Sequence, residues 1–408
     1  LPGSTEWQPF TIEATTFPEG ATSVRLGLWA TPWTEEGDLL GTTWYDDIRV
    51  TAIGDGTVLL SENFEDEDET APVPVFDFSG WDVGLAKAFN EYHFSSIRLP
   101  AQGMGGGTFH DRVDPQIQGY GPETPQFQAA FRAYWEGIED YLREKGWLDY
   151  AYTYWFDEPD PKDYQFVMDG MLRLKETVPD IRRMLTEQPE DELLGGPNLW
   201  CPLTPEYPDE EAAALRAAGD EFWWYVCTGP KAPYATLFID KAATEMRVWL
   251  WQTWQRRIKG ILVWQSNYWN SSVAYPDQRQ NPYTDPMSWV SGYSTPSGTR
   301  SPWGNGDGRF YYPPQAAAAG DPAEPVIAGP VDSLRWEMLR DGLEDYEYLH
   351  MLATAIEQLP AAERAAYEPL LEVPAEVTSS LTSFTSDPTP IEARRLEIAR
   401  ALEAIGGR

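Results

Sequence analysis

Along residues 1 to about 70, apolar and polar positions alternate, as in Phe10-Thr11-Ile12-Glu13-Ala14, Ser23-Val24-Arg25-Leu26-Gly27-Leu28 and Trp44-Tyr45-Asp46-Asp47-Ile48-Arg49-Val50. A period of two broken by turn residues predicts antiparallel strands. Few strands fit into this length, so a partial β-sandwich is expected over residues 1–72; two or three strands are barely stable alone. The run Glu62-Asn63-Phe64-Glu65-Asp66-Glu67-Asp68-Glu69, followed by Pro72 and Pro74, reads as a linker. A solvated charge run is its simplest meaning, with calcium binding as the other.

From Phe76 the pattern changes to strand and helix in turn. Phe76-Asp77-Phe78 predicts a first strand, Val83 to Tyr92 a helix, and Ser95 to Leu99 a strand stopped by Pro100. The Gly-rich loop from Gln102 to Thr124 is too long for a plain connector and is expected to shape a site. Pro125 to Lys145 carries Phe127, Phe131, Tyr134, Trp135, Ile138 and Leu142 at helical spacing, with Gly146 placed to cap it. Further strands are expected at Tyr152–Phe156, Arg183–Glu187, Asn198–Cys201, Glu221–Cys227 and Gly260–Gln265, separated by helices at Tyr164–Val178, in the Ala-rich segment after Pro208, and at Phe238–Arg257. Alternation with short connections predicts a parallel α/β domain, a (β/α)8 barrel, whole or distorted, over residues 73–355. Ser333 to Leu349 predicts a helix interleaving charge and bulk, and residues 356–408 a helical extension.

One strand stands apart. Tyr152-Thr153-Tyr154-Trp155-Phe156 runs into Asp157-Glu158-Pro159, so a buried aromatic strand delivers two adjacent carboxylates to a loop. Pro159 is expected to hold Glu158 extended. Neighbouring side chains on a regular strand point to opposite faces, so both acids serve one ligand only if the chain bends between them. An acidic loop without chemistry remains the alternative. Other predicted strands also end in polar or aromatic groups: Arg98, Glu187, Trp200, Tyr225, and Trp264 with Asn267 and Trp269. Aromatic rings around carboxylates and one arginine have the composition of a sugar subsite, although the same rings can be core.

Composition narrows the classes. With 65 acidic against 30 basic residues the formal charge is -35, which argues against nucleic acid and anionic membranes as partners. No apolar run approaches the roughly 20 residues a membrane helix needs. Two cysteines, Cys201 and Cys227, are too few for a disulfide framework and read as reduced thiols. The three histidines are isolated, so no metal site is expected, and no phosphate loop or nucleophile elbow implies a cofactor or a serine hydrolase.

The Phe156-Asp157-Glu158-Pro159 strand end, the Trp224 to Cys227 and Gly260 to Trp264 strands, and above all Ser333-Leu334-Arg335, Arg340-Asp341-Gly342 and Glu344-Asp345-Tyr346-Glu347-Tyr348-Leu349 resemble glycoside hydrolase family 123 and its wider superfamily over roughly residues 75–355. Thr43 to Val50 resembles the last strands of jelly-roll carbohydrate-binding modules. The family resemblance implies a (β/α)8 catalytic barrel behind a β-sandwich, and exo-acting β-N-acetylgalactosaminidase activity on a glycan. It implies Glu158 as general acid/base, and Asp157 as the residue that orients the acetamido N–H of a substrate-assisted reaction. Tyr225 becomes the candidate donor to the acetamido oxygen, and Arg335 and Glu337 are candidates either to reach substrate or to brace the loop carrying Trp264 and Trp269. Were the sugar to lack a 2-acetamido group, a second carboxylate would be needed, with Glu187 or Asp285 as candidates. A non-catalytic carbohydrate-binding protein is the remaining alternative. Secretion or a periplasmic location fits glycan chemistry, and the sequence leaves oligomeric state open.

Overall fold

The structure, a computed structural model, describes residues 11–13, 48–52, 55–62, 73–109, 111–271, 279–291, 301–318 and 326–407. The chain divides into two compact units, Leu1–Ala71 and Pro72–Arg408. In the first, Ile48–Thr51 and Val58–Glu62 form an antiparallel hairpin whose register shifts between Val50 and Thr51. The strands expected around Phe10, Ser23 to Leu28 and Trp44, and the acidic run after Glu62, fall largely outside the described residues.

The second unit is built on a six-stranded parallel sheet: β1 (Ile97–Leu99), β2 (Ala151–Thr153), β3 (Arg182–Leu185), β4 (Leu199–Trp200), β5 (Glu221–Tyr225) and β6 (Gly260–Leu262). Each strand pairs with the next in sequence. That winding is the one a (β/α) barrel uses. The helices of ten or more residues are α1 (Ser79–Asn90), α2 (Pro125–Lys145), α3 (Tyr164–Thr177), α4 (Asp209–Ala218), α5 (Thr244–Gln255), α6 (Leu334–Glu357) and α7 (Thr389–Gly406).

The eightfold expectation is corrected to six paired strands among the described residues, with no ladder joining β1 to β6. After β6 the described residues form irregular segments and an antiparallel strand pair, Met287–Ser291 with Ser301–Asn305, and add no further strand to the parallel sheet. The β3–β4 connection is also short, a 3-10 turn at Asp191–Leu193 where a helix would complete the repeat. Phe76-Asp77-Phe78 is not a strand. Its two rings stack on each other at 5.1 Å and cover α2, Phe78 lying 3.8 Å from Tyr141 and Phe76 against Gly137.

The sheet is buried on both faces, and the period of two sorts its side chains. Ala151, Leu185, Trp200, Phe222 and Trp224 belong to the large core with the helices. Their neighbours Tyr152, Tyr154, Met184, Leu199, Cys201, Trp223, Tyr225 and Leu262 form a separate cluster on the opposite face. α2 shows how local chemistry sets an element's ends. Thr124 accepts from the Phe127 N–H and Pro125 occupies the first turn, while Gly146 at φ +71° returns its N–H to Arg143 and Leu142.

Candidate active site

The acid pair lies just beyond the C-terminal end of β2. The ladder stops at Thr153, earlier than the aromatic run predicts, and Phe156 instead bridges Gly107 from the long 102–124 loop. The Asp157 N–H donates to the Gly107 carbonyl at 2.9 Å. Only glycine fits there, because a Cβ would stand 2.4 Å from the Phe156 ring. The loop expected to shape a site therefore returns to the acids.

Glu158 does not follow Pro159 into an extended conformation. Its φ is +43°, a left-handed turn uncommon outside glycine. Local hydrogen bonds hold it. The Glu158 N–H donates to Thr186 Oγ1 at 2.9 Å, and the Tyr225 hydroxyl donates to Glu158 Oε1. Asp157 Oδ1 accepts from the Tyr154 hydroxyl and, at 2.9 Å, from Thr186 Oγ1. The bend thus gives each carboxylate its own phenol, Tyr154 from β2's end and Tyr225 from β5, both on the sheet face away from the helices.

Burial pushes the Glu158 carboxyl above the usual carboxylate range; the Tyr225 hydroxyl pulls it back and the Asp157 charge adds to the rise. Glu187, beyond the end of β3, is pushed up to about 7 by burial, with the Glu190 and Glu158 charges adding and Gln188 opposing. Burial followed by the Glu158 charge also raises Tyr225. Cys227 is raised by burial first and also feels Glu158 and Asp307, so these groups share one electrostatic neighbourhood. Cys201 and Cys227 are both free thiols.

Trp264 and Asp307 belong to this neighbourhood too. The Trp264 indole N–H lies 3.1 and 3.3 Å from the two Asp307 oxygens. Asp307 is 3% exposed and pushed up to about 6 by burial, against the pull of that indole. Sequence reading missed Asp307, although an acid within Gly304-Asn305-Gly306-Asp307-Gly308 is a tight-turn signal worth pursuing. It also passed over Tyr154 and Thr186, which lay inside predicted strands.

The remaining expected residues separate. Arg98 is exposed on β1, its guanidinium 5.6 Å from the centre of the Tyr154 ring. Trp200 is fully buried on the helix side, its N–H 2.8 Å from Asp220, because it sits one residue out of phase with the site face. Asn267 bridges Arg309 through its backbone, and Trp269 donates to the Tyr311 carbonyl at 2.8 Å. Arg335 donates to the carbonyls of Leu237 and Gly306, at 2.8 and 2.7 Å, and to that of Arg309, and so braces the turn carrying Asp307. Glu337 pairs with Arg340 at 2.9 Å on an exposed face of α6. Asp285 accepts from the Met287 N–H at 3.2 Å and serves its own turn. A concavity of about 460 Å³ lies between the 102–124 loop and α3, lined by Met104, Phe166, Gly170 and Arg173 among others. Neither acid of the pair lines it; its own acids are Asp114, Glu123 and Asp169.

A parallel α/β sheet that presents paired carboxylates among aromatic side chains at its strand ends has the makings of a carbohydrate-active hydrolase site. The comparisons make the family definite: residues 108–352 match the model for the glycoside hydrolase 123 catalytic domain, and the chain belongs to that family. That model describes the catalytic domain of a glycoside hydrolase family. The chain is also similar in structure to a family 123 glycoside hydrolase from Clostridium perfringens, analysed for the details of glycolipid glycan hydrolysis. Identity is 16% and the TM-score 0.45, over 82% of this chain and 56% of that one, so this chain spans little more than half of that protein's length. No curated protein matches.

Proposed function

We propose that the protein is an exo-acting glycoside hydrolase of β-N-acetylgalactosaminidase type, in which the substrate's own 2-acetamido group is the nucleophile. The observation that carries this reading is the left-handed turn at Glu158, which lets adjacent acids address one ligand with different hydrogen-bond partners. Adjacent carboxylates suit substrate assistance. A conventional retaining pair stands about 5–5.5 Å apart across the sugar, and an inverting pair further apart, whereas a substrate-assisted enzyme needs one acid/base and one orienting group.

In the first step the acetamido oxygen attacks the anomeric carbon as the glycosidic bond breaks. Glu158, kept protonated to higher pH by burial, gives its proton to the departing oxygen. Asp157 accepts the acetamido N–H and stabilises the oxazolinium-like intermediate. Glu158, now a carboxylate, removes a proton from water as that water opens the ring, and configuration is retained. Trp264, held by Asp307, is a candidate for an aromatic wall against the sugar.

Glu187 favours a second reading, a glycosidase using two separated carboxylates, because it is a half-buried acid close enough for the Glu158 charge to raise it. A panel of aryl glycosides of N-acetylgalactosamine, N-acetylglucosamine, galactose and glucose tests both. Turnover confined to 2-acetamido sugars is expected. Turnover of plain hexosides at comparable rates refutes substrate assistance, and binding without turnover refutes the enzyme.

A further inference from the structure

Two hydrogen bonds made by one hydroxyl tie the acid pair together. Thr186 Oγ1 accepts from the Glu158 N–H at 2.9 Å and lies 2.9 Å from Asp157 Oδ1. A threonine hydroxyl has a single proton, and an amide N–H already occupies one of its lone pairs, so that proton goes to the carboxylate. The Tyr154 hydroxyl donates to the same Oδ1 and stands 3.4 Å from the threonine oxygen. Asp157 Oδ1 thus takes two donors from the protein.

Thr186 is 3% exposed, directly follows β3, and is β-branched, so its side chain has little rotational freedom. We propose that Thr186 is a positioning residue that couples the two acids. Through its acceptor side it fixes the left-handed backbone that aims Glu158, and through its donor side it fixes the carboxylate of Asp157. The proposal rests on the substrate-assisted reading, in which Asp157 must hold the acetamido group while Glu158 delivers a proton.

The test compares Thr186→Val, which keeps the shape and loses the hydroxyl, with Thr186→Ser, which keeps the hydroxyl. Each is assayed on 2-acetamido glycosides bearing a phenyl and a 2,4-dinitrophenyl leaving group. Protonation hardly matters for dinitrophenolate, so in kcat/KM, which reads the bond-cleavage step and not the later attack of water, a residue acting only through Glu158 would show no defect there. Thr186→Val is expected to lower kcat/KM at least tenfold on both substrates, chiefly through kcat with KM changed less than threefold, while Thr186→Ser stays within about threefold of wild type. Should valine prevent folding, Thr186→Ala takes its place against serine. A variant without the hydroxyl that matches wild type, or that loses rate only on the phenyl glycoside, overturns the coupling role while leaving the substrate-assisted reading intact. A wild-type protein inert on all 2-acetamido glycosides sinks both.

Discussion

The two acids of the pair differ in partners although they are neighbours in the chain. Glu158 is raised chiefly by burial, which suits a proton donor. Glu158→Gln keeps the shape and cannot donate, so kcat/KM for a phenyl glycoside is expected to fall about 100- to 10,000-fold with little loss for a dinitrophenyl one; equal rates on both, at wild-type level, would remove Glu158 from the mechanism. Glu187 and Asp307 add a signature in stability. Both have folded-state values above their ordinary ones, about 7 and about 6, so the folded protein binds more protons than the unfolded chain between about pH 4 and 7. Their contribution is complete at acid pH and is lost as pH rises through those values. Glu187→Gln should flatten the fall in Tm between pH 4.5 and 7, measured calorimetrically; an unchanged slope would mean that Glu187 titrates normally. At this scale the sequence displayed the carboxylates and hid their anchors. Asp157-Glu158-Pro159 is a local pattern, but the hydroxyl that spans the pair comes from Thr186, 28 and 29 residues away. Trp200 misleads for a related reason: on a strand, one residue of phase decides between the site face and the core.

Among the elements, α6 shows where periodicity is informative and where it misdirects. Its start is visible in Ser333, which accepts from the Trp336 N–H at 3.2 Å. Its buried face is not visible as an apolar stripe, because it runs through Arg335, Leu339, Gly342, Asp345, Leu349, Leu352 and Ile356 while Leu334 and Leu343 face solvent. Gly342 permits the approach, since a Cβ there would meet Leu250 at 3.1 Å and the Arg247 Cα at 3.2 Å on α5. Arg247 then binds Asp345 with two parallel bonds of 2.8 and 2.9 Å, joined by the Trp251 indole at 3.0 Å and by Arg395 of α7 at 3.2 Å. Removing one partner of a buried ion pair strands the other. Asp345→Ala is therefore expected to cost about 3–5 kcal/mol in urea unfolding, whereas Asp341→Ala, whose side chain pairs with Arg340 at 3.0 Å on the half-exposed face, should cost under about 1 kcal/mol. Equal losses from the two would mean that the buried network is not what fastens α6 to the sheet domain.

For the whole molecule, the alternation of strand and helix was legible from Ile97 to Leu262, since each strand's nearest partner is also its neighbour in sequence. The count of eight was not, because after Leu262 the Gly- and Pro-rich chain forms an antiparallel strand pair that carries no period distinct from loop. Charge acts at this scale too. The formal charge of -35 puts a negative field around the protein, and at the site itself Asp157, Glu158, Glu187 and Asp307 form no ion pair among the described residues. A glycan carrying sulfate or carboxylate on its terminal sugar would bring a further negative charge beside those acids, with the exposed Arg98, over the Tyr154 ring, as an opposing charge. Like charges a few ångströms apart in a partly buried site repel by several kcal/mol. If the proposed activity holds, kcat/KM for a 6-sulfated 2-acetamido glycoside should fall at least tenfold below that of its neutral counterpart, and Glu187→Gln should recover part of the difference. Salt adds a second check, because screening weakens the long-range part of the repulsion. The penalty against the sulfated substrate should shrink as ionic strength rises from 0.01 to 0.5 M while the neutral substrate's rate stays level, and a sulfated substrate hydrolysed as well as the neutral one at low salt would show that the acids are shielded when the sugar is bound.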